Sequence, residues 1–245
     1  GGLTRECMMR LSVVPLAALL VTRPASAQPL DTGSPQLRRR SLNERPYRLW
    51  VPADYDASRC YPLVLFLHGA AGRGRDNERH LLDGNGMLLN MFVTSQPRFA
   101  SIVLAPQASS EHGVEPTLAV LRQVQKEYRV DPTRIYLIGQ SLGGYGALDL
   151  LASEPGLFAA AVVISTGEQA SVVGRYAMPP TWVFHGDRDD VIPVEQPRRI
   201  VAAMRRAGGS VRYTEYKGEG HGLAWLVVRE DSLIPWMFSH RRHPM

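Results

Sequence analysis

Gly139-Gln140-Ser141-Leu142-Gly143 stands directly after an apolar run, Ile135 to Ile138, and directly before a segment of helical spacing with small residues at Gly144, Gly146 and Ala147. A serine in that context sits on a sharp strand-to-helix turn with a strained backbone, where side chains two residues to either side would collide unless they are glycine. A hydroxyl is a poor nucleophile until a base takes its proton, so such a serine needs a histidine, and the histidine needs a carboxylate to orient it. Both follow. His185-Gly186-Asp187-Arg188-Asp189-Asp190-Val191-Ile192-Pro193 places three carboxylates in a loop after the apolar run ending at Phe184, and Gly218-Glu219-Gly220-His221-Gly222 places a histidine in a flexible loop beyond it. The chemistry this predicts is acyl transfer: Ser141 attacks, His221 accepts its proton, and one of the three aspartates holds the imidazole. His68 and His185 each open a His-Gly pair after a strand, and the chain order leaves them as buttresses of their loops, with His221 as the base.

Negative charge that develops on the carbonyl oxygen needs prepositioned N–H donors. The backbone of Leu142, the residue after the nucleophile, is one expected donor. The second should come from the loop after the first long apolar strand. That loop continues as Gly72-Arg73-Gly74-Arg75-Asp76-Asn77, but it lacks the G-K-[ST] ending and the G-x-G-x-x-G spacing, so nucleotide binding is excluded there. No C-x-x-C, H-E-x-x-H or Cys/His cluster occurs, and His240 and His243 lie in an Arg-rich tail; neither a metal nor a cofactor is expected.

The elements that must hold these residues are legible as hydrophobic patterning. Tyr47 to Val51 alternates as a half-buried strand does, and continuous apolar runs at Tyr61 to Leu67, Ile102 to Ala105, Ile135 to Ile138, Ala160 to Ile164 and Thr181 to Phe184 read as strands covered on both faces, with Val211 to Tyr216 a more polar one. Helical patterns fall between them: Leu118, Leu121, Val124 and Tyr128; Leu142 to Leu151; and Val194 to Ala207, stopped by Gly208-Gly209. Alternation of this kind predicts an α/β fold, a mostly parallel central sheet flanked by helices on both faces, with the site where the strand ends gather. Apolar residues between Ala70 and Ala100, among them Leu81, Leu82, Leu88, Leu89 and Phe92, read as helix core ahead of an acyl groove.

The chain has 245 residues, 44% hydrophobic and 21% charged, with a formal charge of +5, which excludes a disordered, collagenous or disulfide-scaffold class. Every cation except Lys126 and Lys217 is arginine, and beyond Arg38-Arg39-Arg40 the adjacent arginines are scattered pairs, at Arg198-Arg199, Arg205-Arg206 and Arg241-Arg242, so the pattern argues against a nucleic-acid partner. Met8-Met9-Arg10, the apolar stretch Leu11 to Val21 and Ala25-Ser26-Ala27 read as a secretory signal peptide over residues 1–27, with residues 1–7 an upstream extension. Its apolar run of about 11 residues is short of the ~20 a span requires, so no stable membrane span is expected after cleavage. Residues 28–43 read as a flexible leader, 44–240 as the catalytic domain and 241–245 as a tail; with Cys7 removed, Cys60 would be a lone thiol.

Pro62 to Asn77 (PLVLFLHGAAGRGRDN), Ile135 to Leu148 (IYLIGQSLGGYGAL) and Phe184 to Val194 (FHGDRDDVIPV), completed by His221, resemble the α/β-hydrolase superfamily. Within it the likeness is to small secreted serine esterases of the carboxylesterase/phospholipase, feruloyl-esterase and polyhydroxybutyrate-depolymerase-like groups. The resemblance covers about Tyr47 to Phe238. It implies Asp189, the fifth position of H-G-x-x-D-x-x-V-P, as the triad acid, with Ile192 in place of the usual valine and Asp187 and Asp190 as local rivals. It also implies the Ala70 N–H as the second oxyanion donor, with Ala71 the alternative.

Serine at the elbow, in place of aspartate or cysteine, points away from dehalogenase-like and dienelactone-hydrolase-like chemistry. About 15 residues separate Ser165 from Thr181, too few for a large cap domain. The expectation is a secreted or periplasmic serine hydrolase of short to medium acyl or aryl esters, its partner a small-molecule or polymeric ester. The rivals are a feruloyl or acetyl-xylan esterase, a polyester depolymerase, a single-domain peptidase of the prolyl oligopeptidase-like group, and a noncatalytic exported binding module on the same fold. No motif fixes an oligomeric state.

Overall fold

The computed structural model describes residues 37–96, 98–167 and 178–242. One eight-stranded sheet organises them: β1 (Leu37–Leu42), β2 (Arg45–Trp50), β3 (Tyr61–Leu67), β4 (Ile102–Pro106), β5 (Val130–Gln140), β6 (Ala160–Ile164), β7 (Thr181–Gly186) and β8 (Val211–Tyr216), in the spatial order β1-β2-β4-β3-β5-β6-β7-β8. β1 and β2 run antiparallel, and every pairing from β4 to β8 is parallel. The α/β-hydrolase architecture read from the sequence is therefore the one present.

Among the described residues six helices connect or cover these strands: α1 (Asp83–Thr94), α2 (Val114–Glu127), α3 (Leu142–Ser153), α4 (Glu195–Arg206), α5 (Ala224–Val227) and α6 (Leu233–Ser239). The continuous apolar strands are buried on both faces because side chains alternate across a strand. Leu63, Leu65 and Leu67 of β3 pack with Leu118 and Leu121 of α2, Leu148 of α3 and Ile200 of α4, whereas Val64 and Phe66 pack with Leu88 and Phe92 of α1, Val227 of α5 and Met237 of α6. Leu81, Leu88, Leu89 and Phe92 are thus core, as the periodicity predicts; Leu82 is the exception, 52% exposed.

Two boundaries differ from expectation. The leader predicted over 28–43 is already sheet from Leu37: β1 pairs with β2 in six-residue register and buries Leu37, while Arg38, Arg39 and Arg40 reach Tyr128, Glu78 and Glu127. An arginine run hides the strand signal because charge suits an edge strand while obscuring its alternation. The tail is tied rather than frayed at its start, since the Arg242 N–H donates to the Thr133 carbonyl at 2.8 Å and Arg241 lies 3.4 Å from Asp131. The expectation for Cys60 turns on Cys7, which lies outside the described residues. The signal peptide read over 1–27 also lies outside them.

Candidate active site

The end of β5, the start of α3 and the ends of β3, β6 and β7 converge on Ser141. Its backbone, at φ 51° and ψ −114°, is the strained turn the motif predicts, and its N–H donates to the Ile164 carbonyl of β6 at 2.8 Å. The flanking glycines are steric necessities. A methyl group on Gly139 would fall on the carbonyl of Gly143, and one on Gly143 would fall on the carbonyl of Leu67 at the end of β3. Thr166 meets Gly144 and His112 meets Gly146 in the same way, so α3 begins pressed against its neighbours with no room for side chains.

His221 enters from the loop between β8 and α5. A side chain on Gly186 would strike the Glu219 and Gly220 carbonyls, so that loop lies directly on the end of β7. It is pinned further by Ser165 Oγ donating to the His221 carbonyl at 2.8 Å, by Arg188 N–H to Glu219 at 2.9 Å, and by Gly218 N–H to Asp187 Oδ1 at 2.6 Å. The imidazole then spans two groups: His221 Nε2 is 2.9 Å from Ser141 Oγ and His221 Nδ1 is 2.8 Å from Asp189 Oδ2. Because the carboxylate can only accept, Nδ1 carries the hydrogen and Nε2 is left to accept the serine proton.

Asp189 is buried, and its Oδ1 accepts the N–H groups of Val191 at 2.9 Å and Ile192 at 2.8 Å. Of the three aspartates in this loop, Asp189 faces His221, Asp187 caps the neighbouring loop, and Asp190 is exposed. The structure therefore brings together Ser141, His221 and Asp189.

On the opposite side of Ser141 lies the loop after β3. A Cβ on Gly69 would sit 3.7 Å from Ser141 Cβ and 3.5 Å from the Gln140 carbonyl, which places the next residue, Ala70, beside Ser141. Ala70 opens a single 3-10 turn, Ala70–Gly72, and its N–H and that of Leu142 have no protein acceptor among the described residues. Asn85 Oδ1 accepts the Gly69 N–H at 2.7 Å and fixes the entry to that turn.

Beneath the turn, His68 Nε2 accepts the Ala108 N–H at 2.9 Å, so its Nδ1 carries the hydrogen and donates to the Gly69 carbonyl at 2.7 Å. His112 Nε2 donates to the His68 carbonyl at 3.0 Å, its ring 4.4 Å from that of His68, and His80 lies 5.9 Å away. Burial, which penalises the imidazolium, lowers His68 from 6.5 to about 4 and His80 to about 3. These histidines are neutral scaffolding. In the neighbouring loop from Gly72 to Asn77, Asp76 Oδ1 is already taken up by the Glu78 and Arg79 N–H groups and by Gln107 Nε2.

Asn85, Ser165, His80 and His112 were not singled out by sequence. Asn85 and Ser165 act through a single polar atom on loop geometry that no spacing rule encodes. The three histidines converge from segments far apart in the chain. Among the described residues no group of three or more His, Cys, Asp or Glu side chains could hold a metal ion, and no helix is long and apolar enough to cross a membrane.

The prolyl oligopeptidase family model matches residues 107–167 and 164–232, a region that holds Ser141, Asp189 and His221. The chain belongs to the prolyl oligopeptidase family. It is also 26% identical over 197 residues to a probable feruloyl esterase C of Aspergillus terreus, a match covering 76% of this chain and 70% of that protein. An uncharacterised peptidase, YuxL of Bacillus subtilis, is 21% identical over 248 residues, covering 78% of this chain and 36% of that one. Among solved structures, a thermostable esterase superposes with a TM-score of 0.73 at 35% identity, covering 84% of this chain; the chain spans 63% of that esterase.

Proposed function

We propose that this prolyl oligopeptidase family member is a serine ester hydrolase that cleaves carboxylic esters of short to medium acyl or aryl groups, with Ser141, His221 and Asp189 as its catalytic residues. The observation that carries the reading is the continuous path Asp189 Oδ2, His221 Nδ1, His221 Nε2, Ser141 Oγ, with contacts of 2.8 and 2.9 Å. In the first half-reaction Ser141 Oγ attacks the ester carbonyl carbon while His221 Nε2 takes its proton. The oxyanion is received by the Ala70 and Leu142 N–H groups, each donor contributing about 3 kcal/mol to the transition state. The tetrahedral intermediate collapses, the alcohol leaves with the proton from His221, and an acyl-Ser141 ester remains. Water then attacks that ester, giving its proton to His221, and the carboxylic acid departs as Ser141 regains its hydrogen.

The surface around Ser141 supports an ester with an apolar group. The large apolar side chains exposed among the described residues are Leu82, Val191 and Trp225, at 52%, 64% and 40%. Each stands on a segment that carries part of the site: Leu82 three residues before Asn85, Val191 two after Asp189, Trp225 four after His221. A Cβ on Gly84 would lie 3.1 Å from Ala224 Cβ and 3.6 Å from Gln140 Nε2, so the starts of α1 and α5 meet beside the nucleophile. Exposed apolar side chains on the segments that carry the site support contact with an apolar substrate group. The pattern Met8 to Ala27 supports export as the setting for this activity.

A substrate panel tests the reading: p-nitrophenyl acetate, butyrate and cinnamate beside peptide anilides, each with Ser141→Ala as control. Ester hydrolysis that falls by three or more orders of magnitude in the variant is expected. Turnover of the anilides with none of the esters would establish a peptidase instead.

A further inference from the structure

His185 is the last residue but one of β7, with a fully buried side chain, and the reaction as described makes no use of it. Its Nε2 lies between two acceptors, 2.9 Å from the Ile192 carbonyl and 3.2 Å from Asp189 Oδ2, the same oxygen that faces His221. Only a donor fits between two acceptors, so Nε2 carries the hydrogen. Nδ1 is buried without a partner, so a second hydrogen there would have nothing to bond. The ring is therefore neutral, and burial opposes its protonation.

We infer that His185 is a positioning residue for the triad acid, clamping the Asp189-to-Ile192 turn through the Ile192 carbonyl and holding an N–H dipole against the Asp189 oxygen that serves His221. The inference rests on the reaction proposed above. The clamp is geometric first: Ile192 is held at its carbonyl by His185 and gives its own N–H to Asp189 Oδ1, so ring, turn and carboxylate form one closed unit. The electrostatic part follows from the shared oxygen. An N–H dipole 3.2 Å from Oδ2 draws charge away from the contact with His221, so its removal favours the protonated form of His221. The other charged groups facing this ring are His221 itself and Glu215, its register partner on β8, which is engaged by Arg198 of α4 at 2.6 and 2.9 Å and by the Tyr213 hydroxyl at 2.7 Å. Glu215 is thus held in place and is the same in wild type and variant.

His185→Phe removes the donor while keeping the volume, and His185→Gln returns an N–H near the Nε2 position. The expected result for His185→Phe is a fall of about tenfold in kcat with KM unchanged, and an acid limb of the kcat/KM profile moved up by about half a pH unit. His185→Gln is expected to restore the limb to its wild-type position. A His185→Phe protein with lower thermal stability and an unmoved limb would overturn the inference and leave His185 a packing residue. Should His185→Phe not fold, nitrogen NMR of the wild type decides: an Nε2–H neutral ring throughout the active pH range supports the clamp, and an Nδ1–H or charged ring refutes it. Activity absent from the wild type, or retained in Ser141→Ala, would instead defeat the proposed reaction, so the two failures are distinct.

Discussion

The same dipeptide stands at two strand ends, His68-Gly69 just after β3 and His185-Gly186 closing β7, and both histidines are fully buried, yet their hydrogen bonds have opposite polarity. His68 accepts a backbone N–H through Nε2 and donates through Nδ1; His185 donates through Nε2 and leaves Nδ1 bare. The difference follows from what each loop would present to the proposed reaction. In that reaction the β3 loop offers the Ala70 N–H, and its histidine and Asn85 take up the polar groups of the neighbouring backbone. In the proposed reaction the β7 loop offers a carboxylate held at a fixed angle: the Val191 and Ile192 N–H groups bond one oxygen, His221 bonds the other, and His185 Nε2, bonded to the Ile192 carbonyl, lies 3.2 Å from that second oxygen. One loop is built to leave a donor unpaired, the other to surround an acceptor.

The largest effect should come from the acceptor side. Asp189→Asn keeps the shape but puts an amide where only an acceptor serves the Nδ1–H tautomer of His221, and kcat should fall about 10⁴-fold. Asp187→Asn, in the same loop but bonded to Gly218, should change kcat less than threefold. Equal losses in the two variants, read from steady-state ester hydrolysis, would erase the distinction between them.

The donor side should show itself in stability rather than rate. His68 titrates at about 4 in the fold, below its ordinary 6.5, so the unfolded chain binds protons first as pH falls. The contribution of neutral His68 is complete above about pH 6.5 and is lost progressively down to about pH 4, on the order of 3 kcal/mol for this one group. His80, lowered to about 3, adds to the same window. Urea midpoints measured from pH 7 to pH 4 should drop steeply, and His68→Gln should flatten part of that slope; an identical slope in the variant would remove His68 from the account.

Much of this arrangement is visible in the sequence, and what is hidden has physical causes. Gly139, Ser141 and Gly143 are legible because sterics allow so few residues at that elbow, and β3, β6 and β8 were read to the residue because apolar runs, or alternation in β8, bounded by turns admit one register. β1 was missed because arginines on an edge strand read as a loop. His68 and His185 looked alike because a dipeptide does not record which ring nitrogen meets an acceptor, which is decided by Ala108, Ile192 and Asp189 arriving from elsewhere.

The most direct test of the central claim is covalent labelling of the folded protein by a fluorophosphonate, followed by intact mass and peptide mapping. A single adduct on Ser141, lost in His221→Ala and suppressed in acid as His221 takes up a proton, is the predicted result. No adduct on the folded wild type, or an adduct on another residue, would contradict it.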